Sequence, residues 1–411
     1  MNDKFATPKG SRLQIGVFGR TNAGKSTLLN ALSRQEIAIA SETPGTTTDP
    51  VEKAIELSPL GPVLFVDTGG IDDDSALGSV RIEWTRRVLE RVDVALIAVD
   101  ATLGDGAWGR FEEELYSRIT TPKLVVVNKV DAASPEALES LRSLLLERGA
   151  EFVLVSAERD FQAGLGVPSV REALTKLVPE ELLSPPPLAS DLVPRGSLVV
   201  LVAPIDKAAP KGRLILPQVQ TIRDLLDGGD GCLVVQPDGL SAALESLKTP
   251  PGLVVTDSQA FGRVSEIVPR AVPLTSFSIL FARQKGDLPT ALAGARAIDA
   301  LTEDSRVLIA EACAHHPVEE DIGTVKIPRA LRKKIGEGLT IERSQGRDFP
   351  EVEELRRFDL VVHCGACVFN RREMTSRVAR AASAGVPITN YGLTLAKLNG
   401  ILDRAVEPFG L

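Results

Sequence analysis

Two short segments of this 411-residue chain hold all three of its histidines and three of its four cysteines. Cys313, His315 and His316 sit in the first, and His363, Cys364 and Cys367 in the second. Thiolate and imidazole are the soft ligands of zinc and of iron–sulfur clusters, so the clustering points to a metal centre. Cys364-Gly365-Ala366-Cys367 has the C-x-x-C bite that holds one metal or two corners of a cluster, and its small central residues let the loop wrap closely. Three cysteines are one short of the usual cluster set. The fourth position is open to a histidine, to a carboxylate from Glu319 or Glu320, or to an exchangeable external ligand. A structural zinc site of the Cys3His type fits the same residues. A catalytic cysteine–histidine pair and a metal-free buried group are further readings.

A second constellation suits phosphate. Gly19-Arg20-Thr21-Asn22-Ala23-Gly24-Lys25-Ser26 matches G-x-x-x-x-G-K-S/T between a strand-like run and the helical run Thr27–Ser33. Gly19 and Gly24 let backbone amides close around phosphate at a helix N-terminus. Lys25 reaches the β- and γ-phosphates, Ser26 ligates Mg2+, and Thr27 completes the nucleotide-binding loop. Asn128-Lys129-Val130-Asp131 reads the base, because a carboxylate at Asp131 accepts two N–H groups that guanine offers and adenine lacks. Ser156-Ala157 completes that pocket. Asp67-Thr68-Gly69-Gly70 reads as the Mg2+ and γ-phosphate sensor. Gly45-Thr46-Thr47 reads as the switch segment, with Thr47 as the second Mg2+ ligand. Ile71 stands where Ras-like proteins place the water-orienting glutamine, so intrinsic hydrolysis is expected to be slow or to use another device. In order and spacing these motifs resemble GTPases of the translation-factor class, nearest the Era and tRNA-modification branch. That branch binds K+ through an asparagine of the phosphate loop, and Asn22 matches it. The resemblance implies GTP, Mg2+ and K+ as cofactors, with Lys25, Asn22, Thr47, Asp67 and Gly70 as the hydrolytic set.

The elements that must position these residues are those of an α/β chain. Leu13–Phe18, Val63–Val66, Val94–Val99, Leu124–Val127 and 152–155 are short β-branched or apolar runs. Helix-length amphipathic stretches such as Ile82–Val92 and 135–148 separate them, the pattern of a mostly parallel sheet. Ser184-Pro185-Pro186-Pro187 is the best boundary, since consecutive prolines hold an extended spacer. Beyond it the strand-like runs are Leu198–Val202, Cys232–Val235, Leu253–Thr256, Val307–Ala310, Leu360–Val362 and 387–390. Pro217 suits the first turn of a helix that runs to Leu226. Three domains are expected: residues 1–183 as a P-loop GTPase, 188–276 as an α/β dimerisation domain, and 277–411 as a Rossmann-like α/β domain for the cluster. Cys313 follows one strand of the last domain, and Cys364 and Cys367 follow another. Both therefore fall at the carboxyl ends where open parallel sheets collect ligands. No internal sequence repeat is visible. Leu192–Ser197 spells a thrombin cleavage sequence but flows straight into a strand, and reads as native.

Composition narrows the class. Hydrophobic content of 44% and charged content of 25% suit a globular protein, and no apolar run reaches bilayer length. With a polar start and few cysteines, a cytoplasmic address without a membrane partner is expected. A net charge of −8 and 4% aromatics argue against a nucleic-acid partner. Cys232 reads as a buried inert thiol, Trp84 and Trp108 as packing residues, and the run Lys326, Arg329, Arg332, Lys333, Lys334 as a solvated basic face.

Taken together, Cys313-x-His315 and His363-Cys364-x-x-Cys367, the GTPase motifs, Pro204-Ile205-Asp206 with Leu216–Gln220, and Glu319–Gly323 resemble the FeFe-hydrogenase maturation GTPases of the HydF type. The resemblance covers nearly the whole chain. It implies a GTPase domain, a middle domain that makes a homodimer, and a C-terminal domain holding a 4Fe-4S cluster on Cys313, Cys364 and Cys367. His315 and His363 match the family's motif histidines. With Glu320, they are the candidates for the fourth ligand. The implied role is a scaffold and carrier. It receives a two-iron precursor built by radical SAM maturases and passes it to apo-FeFe-hydrogenase. The alternative is a tRNA- or ribosome-associated GTPase with a structural zinc.

Overall fold

The structure, a computed structural model, describes residues 7–33, 51–68, 87–205, 214–312 and 321–411. The chain divides into two compact units, Met1–Pro185 and Pro186–Leu411. No helix among the described residues is long and apolar enough to cross a membrane.

The first unit is built on a six-stranded sheet of β1 (Leu13–Phe18), β2 (Val51–Leu57), β3 (Gly61–Asp67), β4 (Val94–Asp100), β5 (Lys123–Asn128) and β6 (Phe152–Leu154), in the order β2-β3-β1-β4-β5-β6. Only β2 runs antiparallel to its neighbour. Every residue of β1 is buried, as expected of a central parallel strand covered on both faces. On one face α1 (Lys25–Ser33) adds Leu28 and Leu32 to Ile15, Val17 and Phe65. On the other, Trp108, Leu141 and Leu145 pack against Ile97 and Val125. The expected helix Ile82–Val92 falls partly outside the described residues, as does Trp84.

The second unit carries two four-stranded, wholly parallel sheets. The middle one contains β7 (Leu198–Val202), β8 (Gly231–Val235), β9 (Leu253–Thr256) and β10 (Leu274–Ser276), ordered β8-β7-β9-β10. The C-terminal one contains β11 (Arg306–Glu311), β12 (Thr340–Gln345), β13 (Leu360–His363) and β14 (Ile388–Asn390), ordered β12-β11-β13-β14. The two orders are the same, second strand outside the first and then third and fourth, although the sequence shows no repeat. A single apolar cluster joins them: Val200, Val254 and Leu274 of the middle sheet meet Leu393, Ala396 and Leu402 from the C-terminal end. Helix α2 (Phe277–Lys285) is central to this union. Its Phe277, Leu280 and Phe281 pack onto Val199, Leu201 and Val255 of the middle sheet. Ser276 starts the helix by accepting the Ile279 amide, the usual N-cap arrangement. Leu192–Ser197 is built into the same unit. Val193 is buried, and Asp230 accepts the amides of Gly196 and Ser197.

Helix α3 (Leu288–Arg296) lies on β14 so closely that backbone meets backbone. A Cβ added to Gly294 would sit 2.1 Å from the Ile388 carbonyl oxygen. Gly294→Ala is therefore expected to cost about 1–3 kcal/mol through overpacking. A thermal or urea melt of the full chain checks this, and an unchanged midpoint would show that the contact can relax.

Candidate nucleotide cleft and thiol loop

At the carboxyl end of β1 the chain turns through Gly19–Gly24 into α1. Gly24 is the tight point. Its φ of 86° is left-handed, and a Cβ there would stand 2.2 Å from Asn128 Nδ2. That closeness reflects the way Asn128 ties three motifs together. Its Nδ2 donates to the Ala23 carbonyl at 3.1 Å, and its Oδ1 accepts the Ala157 amide at 3.0 Å. The phosphate loop, the base-reading strand end and the Ser156-Ala157 turn thus converge on one buried side chain. Asp131 is exposed, while Lys129 pairs with Asp100 at 2.5 Å. The Lys129 ammonium and the Thr102 hydroxyl and amide together outweigh the effect of burial and lower the Asp100 carboxyl. Lys25 Nζ donates to the carbonyls of Gly19 and Arg20 at 3.0 and 2.8 Å, so the ammonium is already gathered into the loop. Ser26 Oγ donates to Asp67 Oδ2 at 3.4 Å, which brings the two expected Mg2+-side groups together. Asn22 is exposed in a left-handed conformation, with φ of 63°. Thr46, Thr47 and Gly70, with Gly45, Gly69 and Ile71, lie outside the described residues.

One feature of this cleft carried no sequence signal. Arg20, inside the phosphate loop, pairs with Glu112 at 2.7 Å, and Glu112 also accepts the Gly109 amide at 2.9 Å. Glu112 is only 2% exposed, so the pair anchors the loop to the helix Arg110–Arg118. Residues so far apart in the chain show no pattern that links them.

Removing the Asn128 amide leaves the Ala157 amide and the Ala23 carbonyl without partners in a buried place, at about 1–3 kcal/mol. Asn128→Ala should therefore weaken guanine-nucleotide binding roughly tenfold to hundredfold. Titration calorimetry with GDP checks it.

The second site is built by β11 and β13. They pair in parallel, with Ala310 opposite His363, and the Cys364 amide donates to the Ala310 carbonyl at 2.9 Å. The ends of the two strands are also the topological switch point of this sheet, since β12 lies beyond β11 on one side and β14 beyond β13 on the other. Cys364 Sγ accepts the Ala312 amide at 3.1 Å. Ala312 is the last described residue before the segment 313–320, so Cys313, His315, His316, Glu319 and Glu320 lie outside the described residues. Ala366 turns the thiol loop with φ of 50°, a left-handed conformation unusual without glycine. Burial pushes the Cys367 thiol up, while the Lys285 ammonium and the amides of Cys367 and Val368 pull it down. Beside the loop, Tyr391 donates its hydroxyl to the buried Glu311 carboxylate at 3.1 Å.

His363 does not face the thiols as a free ligand. It is fully buried, and both ring nitrogens have protein partners. Nδ1 donates to the Cys364 carbonyl at 2.9 Å, and Nε2 accepts from Arg377 at 2.9 Å. Burial, with the Arg377 charge, pulls its pKa down to about 3, so the ring is neutral. Arg377 is itself stacked on Phe349 and Phe369, at 4.9 and 4.4 Å from the ring centroids. In this arrangement both nitrogens of His363 are taken by protein partners, and the ring supports the thiol loop from beneath. Lys285, Arg377 and Tyr391 complete this support. None was visible in sequence, since each is a single polar residue in an otherwise ordinary helix.

Known proteins resemble this chain in both of its units. Residues 14–129 match the family model described as 50S ribosome-binding GTPase, so the first unit carries a GTPase domain. Among curated relatives, the tRNA modification GTPase MnmE of Picosynechococcus sp. is 35% identical over 133 residues, 31% of this chain and 28% of that protein. GTPase Era of Caldicellulosiruptor saccharolyticus is 33% identical over 169 residues, 40% of this chain and 55% of Era. The chain thus spans little more than a quarter of the first relative and about half of the second. A solved structure of Aquifex aeolicus Era bound to GDP and AlF4− aligns at 22% identity and a TM-score of 0.34, covering 54% of this chain and 91% of Era. Beyond the first unit, residues 188–286 match the hydrogen maturase F dimerization domain and 289–408 its tetramerization domain. These two consecutive domains of one protein together account for more than half of the chain, which belongs to the hydrogen maturase F family.

Proposed function

We propose that this chain binds and hydrolyses GTP and acts as scaffold and carrier in FeFe-hydrogenase maturation. It holds a 4Fe-4S cluster on Cys313, Cys364 and Cys367 and delivers the two-iron precursor made by radical SAM maturases to apo-hydrogenase. The observation that carries the reading is the meeting of β11 and β13 at a switch point, with Cys364 accepting an amide from the residue that precedes Cys313. The donor chemistry fits the cluster. Thiolates are its ligands, the Ala312 amide aimed at the Cys364 sulfur stabilises one of them, and Lys285, whose pKa burial draws down to about 8, lies behind the loop. When bound, the cluster supplies an iron–sulfur platform for the precursor. Its fourth position falls to His315, Glu320 or an exchangeable external group.

In the nucleotide cleft, Lys25 is expected to exchange its two carbonyl partners for the phosphates. Ser26, Asp67 and Thr47 hold Mg2+, Gly70 senses the γ-phosphate, and Asn22 holds K+. Asp131 selects guanine, and GTP state governs partner association. The protein works in the cytoplasm, where thiols stay reduced. Domains of residues 1–183, 188–276 and 277–411 divide these tasks.

The middle domain also supports homodimer formation. Its edge strand β8 reads Gly-Cys-Leu-Val-Val, with no charge or proline to blunt it, and Val234 is 41% exposed. A tRNA- or ribosome-linked GTPase with structural zinc is the competing reading, prompted by the names of the relatives. The GTPase-model match ends at residue 129, and the net charge of −8 provides no basic footprint for RNA.

Two outcomes are expected. Cys364→Ala or Cys367→Ala should abolish bound iron and sulfide, the EPR signal after dithionite and hydrogenase activation, while GTP hydrolysis persists. One zinc per chain without sulfide in anaerobic wild-type protein would instead establish the competing reading. Val234→Lys should shift the protein toward smaller species in multi-angle light scattering, and an unchanged mass would move the interface elsewhere.

A further inference from the structure

Lys285 ends α2 with a buried ammonium, 5% exposed. Taking an ammonium out of water is costly unless its donors are met. Here they are met by the thiol loop alone: Nζ donates to the carbonyls of Ala366, Cys367 and Phe369 at 3.3, 3.0 and 2.7 Å. An ammonium has three N–H groups, and three carbonyls take them.

This grip has a consequence on the far side of the loop. In a planar trans peptide the C=O and the following N–H point in opposite directions. Carbonyls of Ala366 and Cys367 held toward Lys285 therefore turn the amides of Cys367 and Val368 away from it. Those two amides lie close enough to the Cys367 sulfur to draw its thiol pKa down against the effect of burial. The same grip opposes relaxation of Ala366 from its left-handed φ of 50°.

The helix that delivers Lys285 is fixed on its other sides. Arg283 pairs with Asp191, Gln284 Nε2 donates to the Pro186 carbonyl at 2.9 Å, and Phe277 and Phe281 lie in the core of the middle sheet. Residue 285 lies within the match to the dimerization domain, whereas the thiols lie within the match to the tetramerization domain. The support of the thiol loop therefore comes from a helix that the dimerization-domain match covers, outside the match that holds the thiols.

We propose that Lys285 is the positioning residue of the cluster loop: it holds the carbonyls of Ala366, Cys367 and Phe369, which turns the Cys367 and Val368 amides away from it, and it sets a positive charge behind the thiolates. The inference rests on the 4Fe-4S reading above. A cation and N–H donors near the sulfurs favour the more negative, reduced cluster, so their loss makes reduction harder. Groups that orient metal ligands typically affect metal retention by about 10–100-fold.

The test compares full-length wild type, Lys285→Met and Lys285→Arg, purified anaerobically and reconstituted. Two quantities are read: the midpoint potential by EPR-monitored titration, and the rate of iron loss to a chelator. Lys285→Met should lose iron at least about tenfold faster and titrate at a more negative potential, with GTP hydrolysis unchanged. Lys285→Arg, which keeps the charge, should recover the potential toward wild type. If Lys285→Met does not fold, Lys285→Gln, which keeps N–H donors without the charge, should show the negative shift. Potential and iron retention equal to wild type in the Met or Gln variant would overturn the proposal. So would faster iron loss at an unchanged potential, which marks a packing residue. A wild type that never takes up a cluster would overturn the functional reading itself.

Discussion

Parallel pairing of β11 with β13 is the constraint on which the thiol site depends. The register sets Ala310 opposite His363 and carries the chain out of both strands on the same edge. From there the Cys364 amide reaches the Ala310 carbonyl and the Ala312 amide reaches the Cys364 sulfur. A slip of one residue would reverse which side chains point to which face and would aim His363, not Cys364, at the site. Both strands lie in the core, since Val307–Ala310 and Leu360–His363 are buried throughout. The chemistry at the edge is thus held by apolar strands that take no part in it.

The same logic explains which elements could be read from the sequence. Inner strands such as β1, β4, β5, β7, β9, β11 and β13 are short apolar runs because both faces are covered, and their positions are plain in the sequence. Strands β2, β10 and β12 are not. β2 alternates charged and apolar residues at the antiparallel edge, and half of it faces water. β12 reads Thr-Ile-Glu-Arg-Ser-Gln, and its Glu342 is held by Arg306 and Arg357 rather than by a core. β10 has only three residues. The repeated strand order of the second unit is hidden for the same reason: edge strands differ freely in composition, while topology is fixed by connections. The GTPase domain was legible in the phosphate loop and the Asn128–Asp131 motif, because such chemistry dictates both residue type and local spacing.

His363 shows what local pattern leaves open. His363 stands beside a cysteine and looks like a ligand, yet it ends a buried strand and points into the sheet's own support. Its neighbours Phe349, Phe369 and Arg377 come from three separate segments, and only folding brings them together. Arg377 is buried against two aromatic rings, with its donors on His363 Nε2 and the Gly346 carbonyl. Such an arrangement makes the imidazole an acceptor at Nε2 and a donor at Nδ1, which fixes the Cys364 carbonyl. A residue adjacent to a metal ligand in sequence is as well placed to orient the loop as to join the coordination shell.

The second unit is compact because its two sheets share material. β10 leads into α2, and β14 leads into the helix Tyr391–Leu398. The Asn390 side chain, which caps that helix, donates to the Ser278 carbonyl and hydroxyl of α2 at 2.7 and 3.1 Å. Gly392 adds its amide to the same hydroxyl at 3.2 Å. Two helix starts are therefore locked together, and the Leu274–Leu393 core lies beneath them. Helix α2 then runs from this lock to the thiol loop, where Lys285 grips three carbonyls. The sequence places a domain boundary close to α2. Physically, that helix ties the middle sheet to the thiol loop, through Phe277 and Phe281 at one end and Lys285 at the other.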